Sequence, residues 1–285
     1  MSISSPTGTT RVVGVIGDPV THSLSPVLHN AAFVALGMDW TYVAFHVATG
    51  LGAKAVEAVR ALGIEGLSVT MPHKGDVAAA VDVLSDDAAA LGAVNTVLRR
   101  NSRLVGDSTD GHGFMAALSE AGFDPAGKCC MVVGAGGAGR AVVLALARGG
   151  AARIVVVNRD PGRAGSAVAL GGGVAVVGGV ECATESDLVV NATPVGMGPA
   201  HNSTVGAGVV DTDLLGPGQF VYDLVYYPAQ TPLLFAAAGR GATVLNGLPM
   251  LVHQAARQFE LWTGEVAPLE AMRVAVHHEL SSRVS

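Results

Sequence analysis

Lys128-Cys129-Cys130-Met131-Val132-Val133-Gly134-Ala135-Gly136-Gly137-Ala138-Gly139-Arg140 is the stretch on which the reading of this chain turns. Residues 130–133 are apolar and β-prone, run straight into GAGGAG, and are followed by the helical run RAVVLALAR. Gly134, Gly136 and Gly139 form G-x-G-x-x-G, with Ala135, Gly137 and Ala138 between them. In a chain with 38 glycines that spacing alone is weak. Context strengthens it: a strand precedes, a helix follows, and another strand, residues 154–157, ends about 20 residues later, which is the dinucleotide-binding arrangement. The glycines let the backbone approach a pyrophosphate seated on the helix N-terminus. The competing reading is a tight strand-to-helix turn with no ligand.

The end of that second strand chooses the cofactor. Sites for NAD place Asp or Glu there, against the ribose hydroxyls. This chain has Asn158, then Arg159 and, further on, Arg163. A neutral amide does not repel a 2′-phosphate, and guanidinium groups bind phosphate through paired hydrogen bonds. NADP is the expected cofactor, with NAD as the alternative. Asp160 works against this by weakening the positive field between the two arginines, and Arg163 also reads as a solvated helix residue.

Outward from the glycine loop, strands and helices alternate. In the first part, strands are expected at residues 12–16, 42–47 and 66–69. Helices are expected from Ser25-Pro26 to Gly37, at 54–62 and at 82–91, with Ser25 as N-cap and Pro26 at the first helical position. Such alternation predicts a mostly parallel sheet. Further strands are expected at 188–191 and 220–223, and a long helix at 250–263. The polar, small segment 199–208 reads as a mobile loop. The fold class is α/β with two α/β domains: 1–109, a Rossmann-type dinucleotide-binding domain at 110–247, and C-terminal helices at 248–285 returning to the first domain. At 285 residues, with 50% hydrophobic and 14% charged, there is ample core for both.

Composition excludes several classes. A net charge of -6 argues against nucleic acid as a partner. Cys129, Cys130 and Cys182 show no CxxC spacing and suit a reduced cytosolic protein. The opening residues MSISSPTGTT lack the marks of a signal peptide, and no apolar run is long enough to span a membrane. The nine histidines show no HExxH or comparable pattern, so no metal is expected. His73 reads as facing solvent. Met71, Met197 and Met250 could line a nicotinamide pocket, but core packing is the first expectation for any one of them.

Three clusters in the first part carry chemistry. In His22-Ser23-Leu24-Ser25-Pro26, two hydroxyls at a helix start could bind a carboxylate. In Ser68-Val69-Thr70-Met71-Pro72-His73-Lys74, a lysine follows an apolar strand and a proline in a chain with only 17 Lys and Arg. A desolvated lysine can serve as acid or base near neutral pH. The third cluster is Gly92-Ala93-Val94-Asn95-Thr96 with Gly106-Asp107-Ser108-Thr109-Asp110-Gly111.

The motifs HSLSP, SVTMPHK, GAVNT and STDGHGF, in that order, resemble those of the shikimate dehydrogenase family. GAGGAGRA, NRDPGR, NATPVGM, DLVYYPAQTPLL and NGLPMLVHQ continue the resemblance almost to the end of the chain. The resemblance implies a substrate domain at 1–109, an active site in the cleft between the domains, and NADP-dependent reduction of 3-dehydroshikimate to shikimate. It implies that Ser23, Ser25 and Tyr226 bind the substrate carboxylate. Thr70, Asn95 and Gln254 would bind ring hydroxyls, with Ser68 beside them, and Lys74 and Asp110 would form the catalytic pair. Asn191, Thr193, Met197, Leu224 and Gly247 would line the nicotinamide pocket. A small-molecule substrate is thus the expected partner, and a second copy of the chain is the one protein partner considered.

Two positions depart from the family pattern. Ser68 stands where Asn is common, which leaves room for a different ring substituent, and Ser108 also replaces an Asn. A quinate/shikimate dehydrogenase using NAD and an aminoshikimate-type relative are therefore alternatives. A non-catalytic dinucleotide sensor would have no need of Lys74 and Asp110. A tRNA-dependent reductase would need a nucleophilic cysteine and a basic surface.

Overall fold

The computed structural model describes residues 5–198 and 209–283, so the polar segment 199–208 lies outside the described residues. The chain divides into two compact units. One holds the residues up to Thr109 together with those from Val252 onward; the other is Asp110–Leu251. The return to the first unit falls at Val252, inside a helix, rather than at 248.

The first unit is built on a six-stranded sheet of order β2-β1-β3-β5-β6-β4. Its strands are β1 (Arg11–Gly17), β2 (Trp40–His46), β3 (Gly66–Val69), β4 (Val83–Leu84), β5 (Thr96–Arg100) and β6 (Arg103–Asp107). β1 pairs parallel with β2 and β3, and β4 with β6, whereas β3–β5 and β5–β6 are antiparallel. The antiparallel hairpin β5–β6 was not legible from the alternation. Its turn contains Asn101 at φ 56, a left-handed conformation that asparagine tolerates better than most residues.

Around this sheet lie α1 (Ser25–Ala35), α2 (Gly52–Leu62), α3 (Lys74–Ala80) and α4 (Asp86–Leu91). Three expectations change here. Leu24, not Ser25, occupies the N-cap of α1, so Ser25 is the first helical residue and its hydroxyl is not a cap. The helix expected at 82–91 is the short strand β4 followed by α4, because Ser85 is extended and caps α4 by accepting from the Ala88 N–H. Lys74 opens α3, and His73, expected in solvent, is fully buried at its N-cap with Nε2 2.7 Å from the Val47 carbonyl.

The second unit carries α5 (Asp110–Glu120), then β7 (Cys129–Val133), α6 (Gly137–Arg148), β8 (Arg153–Val157), α7 (Pro161–Val168) and β9 (Ala175–Val177). β10 (Leu188–Asn191), β11 (Phe220–Asp223), α8 (Pro232–Gly239) and β12 (Thr243–Leu245) follow. All pairings in its six-stranded sheet are parallel, in the order β12-β11-β10-β7-β8-β9. That is the doubly wound dinucleotide-binding order, in which the direction of strand addition reverses between β7 and β10 and ligands bind at the C-terminal strand ends of that switch point. β10 and β11 are buried at every position, as strands covered on both faces must be. Met250 joins this core, but Met71 and Met197 are 74% and 53% exposed, so core packing does not account for them.

Two C-terminal helices complete the chain: α9 (Leu248–Thr263), whose first turn belongs to the second unit, and α10 (Leu269–Ser282). From α9, Phe259 and Trp262 enter an aromatic cluster of the first unit with Phe33, Trp40, Tyr42 and His29. His29 is fully buried and stacked on Tyr42 at 4.4 Å, and desolvation depresses its pKa to about 3. No helix among the described residues is long and apolar enough to cross a membrane.

Candidate active site and cofactor loop

In the first unit the proposed substrate residues gather where β1 and β3 end. Ser68 lies within β3, and Thr70 is the first residue beyond it. Thr70 donates its N–H to the Ile16 carbonyl, which anchors the turn after β3 to β1. Asn95, just before β5, is tied to β3 through its carbonyl, which accepts from the Val69 N–H at 2.7 Å. Lys74 is held beside it: its carbonyl accepts from the N–H of Val94 at 2.9 Å. Ser23 and Ser25 follow β1, and the Ser25 N–H donates to the Ser23 hydroxyl at 3.3 Å. The Ser25 side chain, 7% exposed, faces the hydroxyl of Tyr42.

Asn95 is the centre of this group. Its Oδ1 accepts from the Thr109 N–H at 2.9 Å and from the Thr96 hydroxyl at 2.7 Å. Its Nδ2 donates to Thr109 Oγ1 at 3.1 Å and to Gln254 Oε1 at 3.3 Å. Ser68, Asn95 and Gln254 are therefore joined in one unit, through a residue the sequence reading passed over. Gln258, 1% exposed, accepts from the Ser68 hydroxyl at 2.7 Å and donates to Thr96 Oγ1 at 3.0 Å. The available signal was its spacing: Gln254 and Gln258 are four apart, on one face of a helix. Tyr226 and Asp110 belong to the second unit; Asp110 is the first residue of α5.

The cofactor loop of the second unit is built from backbone. Gly134 sits at φ 106, and a side chain there would come within 2.9 Å of the Ala192 carbonyl at the end of β10. A Cβ on Gly139 would run into the carbonyl of Gly134. These two glycines bring α6 against the strand ends, whereas Gly136 and Gly137 face open space. Asn158 ties the loop to β8 by accepting from the Ala135 N–H at 3.2 Å and donating to the Asp160 carbonyl at 3.0 Å. Its amide is thus engaged within the loop, and it brings no carboxylate charge to the end of β8.

Asp160 has its own task. Its Oδ1 accepts from the N–H groups of Gly162 and Arg163, capping α7. Beside it lies a groove of about 520 Å³ lined by Ala135, Gly136, Gly137, Arg140, Asp160, Gly162, Arg163 and Ser166. Arg140 was missed, although it closes the very motif first quoted. Its Nε is buried without a hydrogen-bond partner, an orphaned donor of the kind an anionic ligand satisfies. Arg163 lines the same groove, and Arg159 is exposed next to it. Open glycines, a helix N-terminus and two arginines fit a phosphorylated dinucleotide.

Asn191, Thr193, Leu224 and Gly247 lie together at the ends of β10, β11 and β12. Asn191 accepts from the N–H and hydroxyl of Thr193, at 3.0 and 2.7 Å, and shapes the turn leading to Met197. Leu224 donates to the Asn191 carbonyl, and a Cβ on Gly247 would strike the Leu224 carbonyl. Behind them is Asp223, fully buried, held by Asn191 Nδ2 at 2.8 Å, Thr231 Oγ1 at 2.6 Å and the Val225 N–H at 3.1 Å. Burial raises its pKa above the usual carboxylate value, against the lowering by those three donors. Among the described residues no group of three or more His, Cys, Asp or Glu could hold a metal ion.

Two family models match the chain: the shikimate dehydrogenase substrate binding domain over residues 15–97, and the shikimate 5′-dehydrogenase C-terminal domain over 247–277. The shikimate dehydrogenase (NADP(+)) of Moorella thermoacetica is 44% identical over 92% of this chain and 91% of its own length. That of Methanopyrus kandleri is 46% identical over 98% and 100%. Among solved structures, shikimate 5-dehydrogenase of Thermus thermophilus in complex with NADP(H) and shikimate matches with a TM-score of 0.86 at 37% identity, covering 94% of this chain and 99% of that one. The chain belongs to the shikimate dehydrogenase family.

Proposed function

We propose that this chain interconverts shikimate and 3-dehydroshikimate with NADP. The observation that carries the reading is Lys74, fastened by its own carbonyl to the residue next to Asn95, within a set of buried polar side chains that suits a polyhydroxylated ring. Ser23, Ser25 and Tyr226 bind the substrate carboxylate. Thr70, Asn95, Gln254 and Ser68 take the ring hydroxyls. Lys74, as amine, removes the proton of the reacting hydroxyl and, as ammonium, returns it to oxygen in the reverse direction. Asp110 is the second member of this pair.

The glycine loop Gly134–Gly139 and the N-terminus of α6 would hold the pyrophosphate, and Arg140, Arg159 and Arg163 the 2′-phosphate. When bound, the dinucleotide takes the hydride from the carbinol carbon or gives it back. Asn191, Thr193, Met197, Leu224 and Gly247 line the nicotinamide side. A reducing, cytosolic setting fits the three free cysteines, one of which, Cys130, has its thiol pushed up to about 12, chiefly by burial.

The test is the near-ultraviolet absorbance of reduced nicotinamide, with shikimate or quinate offered alongside NADP or NAD. Reduction of NADP by shikimate is expected. A preference for quinate with NAD would replace the reading with the quinate alternative.

A further inference from the structure

One buried chain of hydrogen bonds runs through the first unit beneath the substrate residues. The Tyr42 hydroxyl donates to Ser68 Oγ at 2.7 Å, and Ser68 donates to Gln258 Oε1 at 2.7 Å. Gln258 Nε2 donates to Thr96 Oγ1 at 3.0 Å and lies 3.4 Å from the Asn95 carbonyl. Thr96 then donates to Asn95 Oδ1. The direction of every link follows from one group. The Asn95 carbonyl can only accept, so the amide nitrogen of Gln258 must face it and the amide oxygen must face Ser68. That oxygen can only accept, so the single hydroxyl proton of Ser68 is committed to it. The Thr96 hydroxyl, accepting from Gln258, is left to donate to Asn95 Oδ1, an oxygen the Thr109 N–H independently fixes as an acceptor, and the Asn95 NH2 is spent on Thr109 and Gln254.

We propose that Gln258 is a positioning residue that sets the hydrogen-bond polarity of the substrate pocket by holding Ser68 as a pure acceptor. The proposal rests on the reading that Ser68 faces the substrate ring. With its proton committed and one lone pair taken by Tyr42, Ser68 offers a ligand one remaining lone pair. The ring substituent that meets it must bring a proton: a hydroxyl or an amino group serves, and a group that only accepts does not. Ser68, one of the two positions at which the chain departs from the family pattern, is in this way a selector of donors.

Steady-state kinetics on wild type and Gln258→Met, a substitution of similar volume, test this. The substrates are shikimate and analogues with one ring hydroxyl at a time replaced by fluorine, which only accepts, or by an amino group, which donates. At one ring position wild type should accept the amino analogue, with KM for the fluoro analogue about ten-fold higher or more. In Gln258→Met the Ser68 proton is released and that amino-to-fluoro ratio should fall toward one. KM for NADP should stay within about three-fold. A ratio unchanged at every ring position would overturn the inference, as would KM values raised alike for all substrates and for NADP, the mark of a merely structural role. Wild type that turns over no shikimate would remove the dehydrogenase reading and this inference together, whereas active wild type with an unchanged ratio removes the inference alone.

Discussion

The two units solve the same problem, holding a small polar molecule, with different materials. In the first unit the site is made of side chains hydrogen-bonded to side chains far apart in sequence, such as Ser68 to Gln258 and Asn95 to Gln254. The second unit relies on backbone: a left-handed Gly134, a Gly139 with no room for a side chain, and the start of α6. A backbone site depends on local conformation and survives most changes around it. A side-chain site depends on donor and acceptor matching, so each member defines the others.

The largest effect expected from this contrast is at Lys74. Lys74→Ala should cut kcat by roughly two to four decades, the scale of a lost general acid, with the Kd for NADP unmoved; turnover retained at the wild-type rate would break the assignment. Next comes Arg140→Gln, which removes a guanidinium that lines the groove. KM for NADP should rise about ten- to hundred-fold, as for one charge-assisted hydrogen bond, while KM for NAD and for shikimate hold. An equal rise for NAD would mean that Arg140 serves the fold and not the phosphate.

Acid should separate the units. His29 has a folded pKa of about 3, below its unfolded value of 6.5, so its stabilising contribution is present above 6.5 and is lost as pH falls toward 3. The slope is at most about 1.4 kcal/mol per pH unit, on the order of 2 kcal/mol by pH 5. Asp223 acts in the opposite sense. Its folded pKa is raised, so its contribution is full below the unfolded value and is lost as pH rises through the folded one. Both tryptophans, Trp40 and Trp262, lie in the first unit. Urea titrations followed by tryptophan fluorescence at pH 7 and 5 should show that unit weakening in acid, and His29→Phe should flatten the dependence. An unchanged slope in that variant would assign the acid lability elsewhere.

The smallest effect concerns Asp160, which complicated the choice of cofactor. Asp160→Ala should cost about 1 kcal/mol through the lost cap of α7, measured as a lower Tm, and KM for NADP should not worsen. A ten-fold rise in KM for NADP would show that the carboxylate orders the groove for its ligand.

Legibility followed the same division. The glycine loop, the parallel sheet around it and the exposed arginines beside it were read from residues close in sequence. β3, β10 and β11 were placed to the residue, since short apolar runs between turns leave little choice. The antiparallel hairpin β5–β6 was hidden because its strands carry Arg99, Arg100 and Arg103, whose long side chains disguise the period of two. His73 and Gln258 were misjudged or missed for one reason: a polar residue is buried when a distant partner satisfies it, and Val47 and Ser68 are such partners. Asp160 was read as a charge against phosphate, although its position just before Pro161 marks an N-cap.

The glycine loop also separates two kinds of selection. At Gly139 the protein itself forbids a side chain, because the carbonyl of Gly134 occupies the space. At Gly136 and Gly137 nothing of the protein lies within 4 Å of where a Cβ would stand. The fold gains nothing sterically from glycine at those two positions, so the information stored there describes the shape of a ligand. In a lineage released from its reaction, alanine should drift into 136 and 137 long before it enters 139, and that order of loss would record what the loop once held.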